Sequence, residues 1–218
     1  MTARSALVLG ATGLVGRCCL ELLLEDHRYD TVHAIVRTAL SRQHPKLQQH
    51  VISFTDLAGE VAKLGVTDVF CCLGTTIGIA GSREAFRKVD YDLPLAIARR
   101  ALERGARQFL FVSAMGADAH SLVFYNRVKG ELESAAAGLG FHAAIAFRPS
   151  LLAGDRAQFR LGERVALMVL QPARWLVPRK YRPVAGLAVA RAMAAFAKRG
   201  LAGFHVVPSD AIQAFAPG

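Results

Sequence analysis

Acidic residues, tryptophan and cysteine are scarce in this chain, and no apolar run is long. Asp and Glu number 17 against 27 Lys and Arg, which leaves a formal charge of +10 over 218 residues. The apolar stretches are interrupted by Arg, Glu or Pro well before the length of about 20 residues that a membrane-spanning helix needs, so no membrane span is expected. The chain opens on a strand-like stretch with nothing resembling a signal peptide, and the four cysteines form two adjacent pairs, Cys18-Cys19 and Cys71-Cys72, without metal-ligand spacing. These features predict reduced, packed thiols, no metal site and a cytoplasmic location. Charged residues are only 20% and hydrophobic ones 53%, which excludes disorder and suits a single domain over residues 1–218.

The positive charge invites a nucleic-acid reading, but the basic groups are short. Arg99-Arg100, Arg179-Lys180 and Lys198-Arg199 stand alone, without interleaved aromatics. No nucleic-acid partner is expected. Part of the charge is better spent on a small molecule carrying phosphates.

Short apolar runs alternate with helical patterns. Ala6 to Leu9, Val32 to Val36, Val51 to Phe54, Asp68 to Leu73, Gln108 to Val112 and Ala143 to Phe147 read as strands. Between them Arg17 to Leu24, Leu57 to Leu64, Arg83 to Glu103 and Ser121 to Leu139 read as helices, the third interrupted at Pro94, while Gly78 to Ser82 reads as loop. That rhythm demands parallel strands with crossovers on both faces, an α/β Rossmann-like doubly wound sheet. After Pro149 it weakens. Arg160 to Leu170 and Val184 to Lys198 are helix candidates and Gly203 to Val207 a last strand. Residues 150–183 are expected to form a small substrate-side region within the domain, since ligands of such folds sit beyond the carboxyl ends of the strands. Arg164 to Trp175 is read as packing over an apolar pocket rather than as a membrane-surface helix.

The first strand runs into Gly10-Ala11-Thr12-Gly13-Leu14-Val15-Gly16. Gly10 turns the chain off the strand, Gly13 admits a pyrophosphate to the backbone, and Gly16 lets the helix lie close to the sheet. The N–H groups that open the helix at Leu14 and Val15 face the phosphates, and Thr12 adds a hydroxyl. The second strand ends at Arg37, where sites for a cofactor without a 2′-phosphate usually carry Asp or Glu. A guanidinium matches a phosphate in charge and shape, so Arg37, with Arg42 beyond it, selects NADPH over NADH. Asp56 and Leu57 are candidates for the adenine pocket, Asp56 equally for a helix cap. Leu73-Gly74-Thr75-Thr76 ends the fourth strand, where Gly74 brings the backbone to the ribose and phosphates, and each threonine either contacts the cofactor or caps a turn.

Ser113 ends the fifth predicted strand, and Tyr125 and Lys129 lie four apart on one helix side. A phenol has a reference pKa near 10, and a nearby ammonium favours its ionised form. Lys129 can also hold a ribose hydroxyl. Ser113 can aim a substrate oxygen at Tyr125, which gives or takes the proton as hydride moves.

Together, the glycine turn, Ser113 and Tyr125-Asn126-Arg127-Val128-Lys129 resemble the short-chain dehydrogenase/reductase superfamily in its atypical or extended branch. Cys72-Leu73-Gly74-Thr75-Thr76, Ala80-Gly81, Val89-Asp90, Lys129-Gly130-Glu131 and Phe147-Arg148-Pro149 are similar to the Tat-interacting oxidoreductase-like group and its bacterial relatives. The resemblance implies an NADPH-bound fold, reductase-type residues, Arg37 near the 2′-phosphate, a homodimer, and a passage of Pro149 and Ser150 to Leu152, including Leu151, past the nicotinamide amide. It departs from the superfamily at Asp90, where some members place a relay Asn, and Asp90 is expected to serve the structure. The leading expectation is an NADPH-dependent oxidoreductase for a small apolar carbonyl or quinone, with Phe124, Leu151, Met168 and Trp175 near the pocket. The alternatives are a non-catalytic NADPH-binding sensor or scaffold, and a cofactor-retaining epimerase.

Overall fold

In the computed structural model, residues 4–52, 57–153 and 178–216 are described. Among them, seven strands form one parallel sheet in the order β3-β2-β1-β4-β5-β6-β9. They are β1 (Arg4–Leu9), β2 (Tyr29–Val36), β3 (Leu47–Val51), β4 (Asp68–Cys71), β5 (Gln108–Val112), β6 (Ala143–Arg148) and β9 (Gly203–Pro208). Two short strands, β7 (Leu152–Ala153) and β8 (Val184–Ala185), pair separately. The strand order reverses between β1 and β4, and that reversal opens the crevice in which doubly wound folds bind ligands.

Alternation along each strand builds two cores. Ala6, Val8, Phe70, Leu110, Ile145 and Phe147 face one layer, made by α1 (Leu14–Glu25) and α7 (Gly186–Phe196). Leu7, Leu9, Val69, Cys71, Phe109 and Phe111 face the other, made by α2 (Leu57–Val61), α5 (Leu93–Glu103) and α6 (Phe124–Ala137). A sheet buried on both faces needs apolar residues at successive positions, which is why these strands read as continuous runs.

Three boundaries differ from the expectation for physical reasons. β3 is Leu47–Val51, a polar edge strand ahead of the expected Val51 to Phe54, whose end lies outside the described residues. An edge strand has only one paired side and one packed face, so its composition carries little apolar signal. The stretch from Gly78 to Ser82 is not all loop, because α3 (Ile77–Ala80) precedes a left-handed Gly81. The long helix from Arg83 is not broken at Pro94. It runs as α4 (Arg83–Arg87), a π turn (Lys88–Asp92) and then α5, with Pro94 in the first turn of α5, where the missing N–H costs nothing. The helix candidate from Arg160 to Leu170 lies outside the described residues.

Candidate active site

The first crossover forms as the glycine spacing predicts. Gly10 has φ 75°, and a Cβ there would stand 2.6 Å from the carbonyl oxygen of Cys72. A Cβ on Gly16 would stand 2.0 Å from the Gly10 oxygen, so helix and turn could not close. Gly13 differs: among the described residues the Gly10 oxygen at 3.2 Å is its one near neighbour, and its outer side is open to them. It is also the N-cap of α1 and supplies no side chain to the helix N–H groups. Leu14, Val15 and Gly16 thus present uncapped donors to the crevice mouth beside exposed Thr12, a cradle suited to phosphate oxygens.

From there the chain after β4 leads to α6. Cys72 packs beneath Gly10, and Gly74 lies two residues on, where a Cβ would meet Asp90 Oδ1 at 3.5 Å and Lys129 Nζ at 3.9 Å. The glycine turn and the helix lysine are therefore joined by one short segment. Within it Thr76 is the capping threonine, its hydroxyl accepting from Ile79 N at 3.2 Å, while Thr75 N donates to Asp90 Oδ2 at 2.9 Å. Leu73 packs against the core.

Tyr125, Lys129 and Glu133 follow one another at four-residue intervals along α6. Tyr125 is half-buried, its ring 5.4 Å from that of Phe86. Lys129 is only 3% exposed. Its ammonium pairs with Asp90 Oδ1 at 2.7 Å and donates to Val112 O at 3.3 Å. Burial pulls its pKa down, but the Asp90 carboxylate, with Tyr125 and Cys71 beyond it, outweighs that pull and holds it above the ordinary lysine value. An ammonium has three N–H donors, and the two protein partners leave one for a ligand.

Ser113 is placed otherwise than expected. It alternates with Phe109 and Phe111 toward α6, and its hydroxyl donates to the buried Glu133. Glu133 in turn accepts from Arg148 Nε at 2.9 and 3.2 Å. Ser113 is thus committed to a buried network joining β5, α6 and β6, and the expectation that it aims a substrate oxygen is corrected. Glu133 went unread in the sequence. The signal for it was a carboxylate on the same helix stripe as Lys129, Leu132 and Ala136.

Two cofactor candidates are also corrected. The Leu57 side chain is buried in the core and cannot line an adenine pocket. Arg42 reaches α1, with Nε 3.0 Å from Glu21 Oε2 and a terminal nitrogen 3.8 Å from Glu25. Arg37 is exposed at the end of β2. Asp56, Met168 and Trp175 lie outside the described residues. Phe124 packs on Phe86 at 5.9 Å between ring centroids, with the Arg83 and Arg127 guanidinium carbons 5.3 and 5.6 Å from its own. Pro149 is buried, its carbonyl accepting from Met115 N at 2.9 Å, while Leu151 is 47% exposed. The thiols are free, with Cys71 pushed up to about 12 by burial.

A family model described as NAD(P)H-binding matches residues 10–138, which run from the glycine turn to the end of α6. The chain belongs to this NAD(P)H-binding family. Among curated relatives it is 37% identical over 158 residues to the mitochondrial protein FMP52 of Eremothecium gossypii, covering 72% of this chain and 70% of that one. It is 35% identical over 170 residues to HTATIP2 of Rattus norvegicus, covering 76% and 70%. With these relatives the family member is an atypical short-chain dehydrogenase/reductase of the HTATIP2-like group, as the motifs suggested. Solved structures agree on the fold. An oxidoreductase of the short-chain dehydrogenase/reductase family from Burkholderia thailandensis superposes with TM-score 0.69 at 18% identity, over 97% of this chain and 94% of that one. MoeE5, solved with UDP-glucose and NAD, gives 0.71 at 15% identity, over 93% and 74%.

The comparison also corrects the expected location. The FMP52 relatives from Eremothecium gossypii, Debaryomyces hansenii and Emericella nidulans are named mitochondrial, which overturns the cytoplasmic reading. Reduced cysteines do not distinguish one reducing compartment from another. Among the described residues no helix is long and apolar enough to cross a membrane.

Proposed function

We propose that this NAD(P)H-binding protein is an NADPH-dependent reductase of a small apolar carbonyl or quinone, with Tyr125 as the proton donor. The observation that carries the reading is the continuity of the site. Gly10 lies against Cys72, at the start of the segment through Gly74, and Gly74 lies beside Asp90 and Lys129 of α6, at the strand reversal where doubly wound folds bind ligands. Gly13 and the N–H groups of Leu14 and Val15 would hold the pyrophosphate, and Lys129 a ribose hydroxyl through its remaining N–H. The nicotinamide, when bound, supplies the hydride. Tyr125 O–H delivers a proton to the substrate oxygen, and the adjacent ammonium steadies the phenolate left behind. Ile77 and Ile79 of α3, with Met115 and Leu151 beyond β5 and β6, are exposed and favour an apolar substrate over a sugar.

Purified protein should consume NADPH, followed at 340 nm, with at least one class among aldehydes, ketones and quinones. A panel without turnover, despite tight NADPH binding, would leave a binding protein and defeat the reductase reading.

The cofactor preference has its own test. Arg37→Glu replaces a guanidinium by a carboxylate where the 2′-phosphate is expected. A charge-assisted contact contributes roughly 1.5–3 kcal/mol, so NADPH affinity should fall by about tenfold to a hundredfold while NADH affinity holds. Equal losses in fluorescence titrations of both nucleotides would remove Arg37 from the 2′-phosphate site.

A further inference from the structure

A lysine that is 3% exposed needs an explanation. An ammonium taken from water loses its hydration, and a side chain able to release its proton does so unless an anion is supplied. Here the anion is Asp90, itself 1% exposed. It lies in the π turn Lys88–Asp92, between two α-helical segments. The wide turn inserts residues without breaking the helix, a device frequent at functional sites. It seats Asp90 inward, while the neighbouring Tyr91 packs at the edge of the core with the guanidinium carbon of Arg87 4.2 Å from its ring centroid.

The two carboxylate oxygens of Asp90 have different partners. Oδ1 meets Lys129 Nζ at 2.7 Å, and Oδ2 accepts from Thr75 N at 2.9 Å. Lys129 also reaches Val112 O at the end of β5. The carboxylate therefore ties three things together: the segment that follows β4, the end of β5, and the helix that carries Tyr125. An amide at position 90 would remove the charge and leave one acceptor where the carboxylate has two, its NH2 turned toward either Lys129 or Thr75 N.

We propose that Asp90 is a positioning residue of this site, whose carboxylate pairs with the buried Lys129 and holds its ammonium between the ends of β4 and β5. For its link to the reaction this rests on the role proposed for Lys129, but the coupling itself does not. The groups that face Lys129 are Asp90 from the π turn, Tyr125 one turn earlier on α6 and Cys71 from β4. The Cys71 thiol, pushed up to about 12, stays neutral through the working range, so Asp90 is the anion that matters below the ionisation of Tyr125.

The sign follows. With Asp90 present the folded-state pKa of Lys129 stands above its unfolded value, so the ammonium persists until pH rises beyond the ordinary lysine range. With Asp90→Asn the largest influence that opposes the burial pull is gone, and the proton is lost at lower pH. The test is carbon-13 NMR of protein labelled at lysine Cε, with the Lys129 signal identified by its absence in Lys129→Met. In the wild type this signal should keep its charged position through pH 10. In Asp90→Asn it should titrate at least one pH unit below the ordinary lysine value of about 10.4, and the alkaline limit of NADPH affinity should move down with it. Asp90→Glu, which keeps the charge, should restore much of the wild-type titration.

A Lys129 signal in Asp90→Asn that follows the wild type overturns the proposal. A shifted signal with an unchanged pH dependence of NADPH binding overturns the positioning role and leaves a purely structural pair. If Asp90→Asn does not fold, thermal melts of Lys129→Met and Lys129→Met/Asp90→Asn decide. The double variant should melt higher, because it removes the carboxylate stranded without its cation. A double variant no more stable than the single one overturns the coupling. Absence of turnover with every substrate, by contrast, would count against the reductase reading and leave the NMR result standing.

Discussion

Tyr125→Phe should lower kcat by about a thousandfold, the middle of the range for loss of a positioned general acid, and leave NADPH affinity unchanged. The substitution removes one oxygen and little else. Tyr125 is the second residue of α6, and its ring packs on Phe86 at 5.4 Å, a contact that phenylalanine keeps. The Lys129 ammonium stays in place because Asp90 and Val112 O hold it independently of Tyr125. The variant therefore separates proton delivery from cofactor binding. Single-turnover oxidation of bound NADPH measures the first, and fluorescence titration the second. Turnover that survives would mean the substrate oxygen takes its proton elsewhere. Ser113 is no candidate for that substitute role, since its hydroxyl is spent on buried Glu133. Hydroxyls that stand nearer the mouth belong to Thr12 and Thr75.

Much of this site was legible because its chemistry is local in sequence. Gly10, Gly13 and Gly16 each answer a backbone demand within one strand–helix junction, and Tyr125 and Lys129 need only helical spacing to share a side. β5 was legible to the residue, since Gln108–Val112 is buried on both faces along most of its length and reads as an apolar run from Phe109. What remained hidden depends on contacts between distant segments. Position 113 identified a hydroxyl at a strand end but not its partner twenty residues on. The alternation of Phe109, Phe111 and Ser113 already pointed that side chain toward the helix layer. The π turn has no periodic signature, so Asp90 read as serving the structure, without its partner Lys129. Arg42 read as a phosphate ligand because Glu21 and Glu25, on the preceding helix, come near it only after β2 returns the chain alongside α1. β3 was displaced because its polar residues, Gln48, Gln49 and His50, carry an edge strand without apolar alternation.

Gly130→Ala should destabilise the fold by about 3 kcal/mol, the upper part of the usual range for forcing extra volume into a packed site. Glycine inside an exposed helix is a weakness that alanine usually repairs. Gly130 reverses that expectation because the loop after β5 lies directly on it. A Cβ there would stand 2.2 Å from Ala119 N and 2.2 Å from the Asp118 carbonyl carbon. These are backbone atoms and cannot rotate away as a side chain would. The loop is also held to α6 by Asp118 N, which donates to Asn126 O at 3.1 Å. Relief therefore requires the loop to lift from the helix or the helix to shift against β5. Either movement strains the anchors on both sides of Gly130, the Lys129–Asp90 pair and the Glu133–Arg148 pair. For a domain of this size the loss corresponds to a fall in Tm of about 6–12 °C. Gly138→Ala is the internal control, because its nearest neighbours would be 3.6 and 3.8 Å from the new methyl, an ordinary contact at the helix end. Calorimetric melts should find the Gly138 variant within about 0.5 kcal/mol of the wild type and the Gly130 variant well below it. Equal stabilities would show that the loop from Ala117 to Ala119 does not bear on α6, and would remove the reason for a glycine immediately after the lysine of the site.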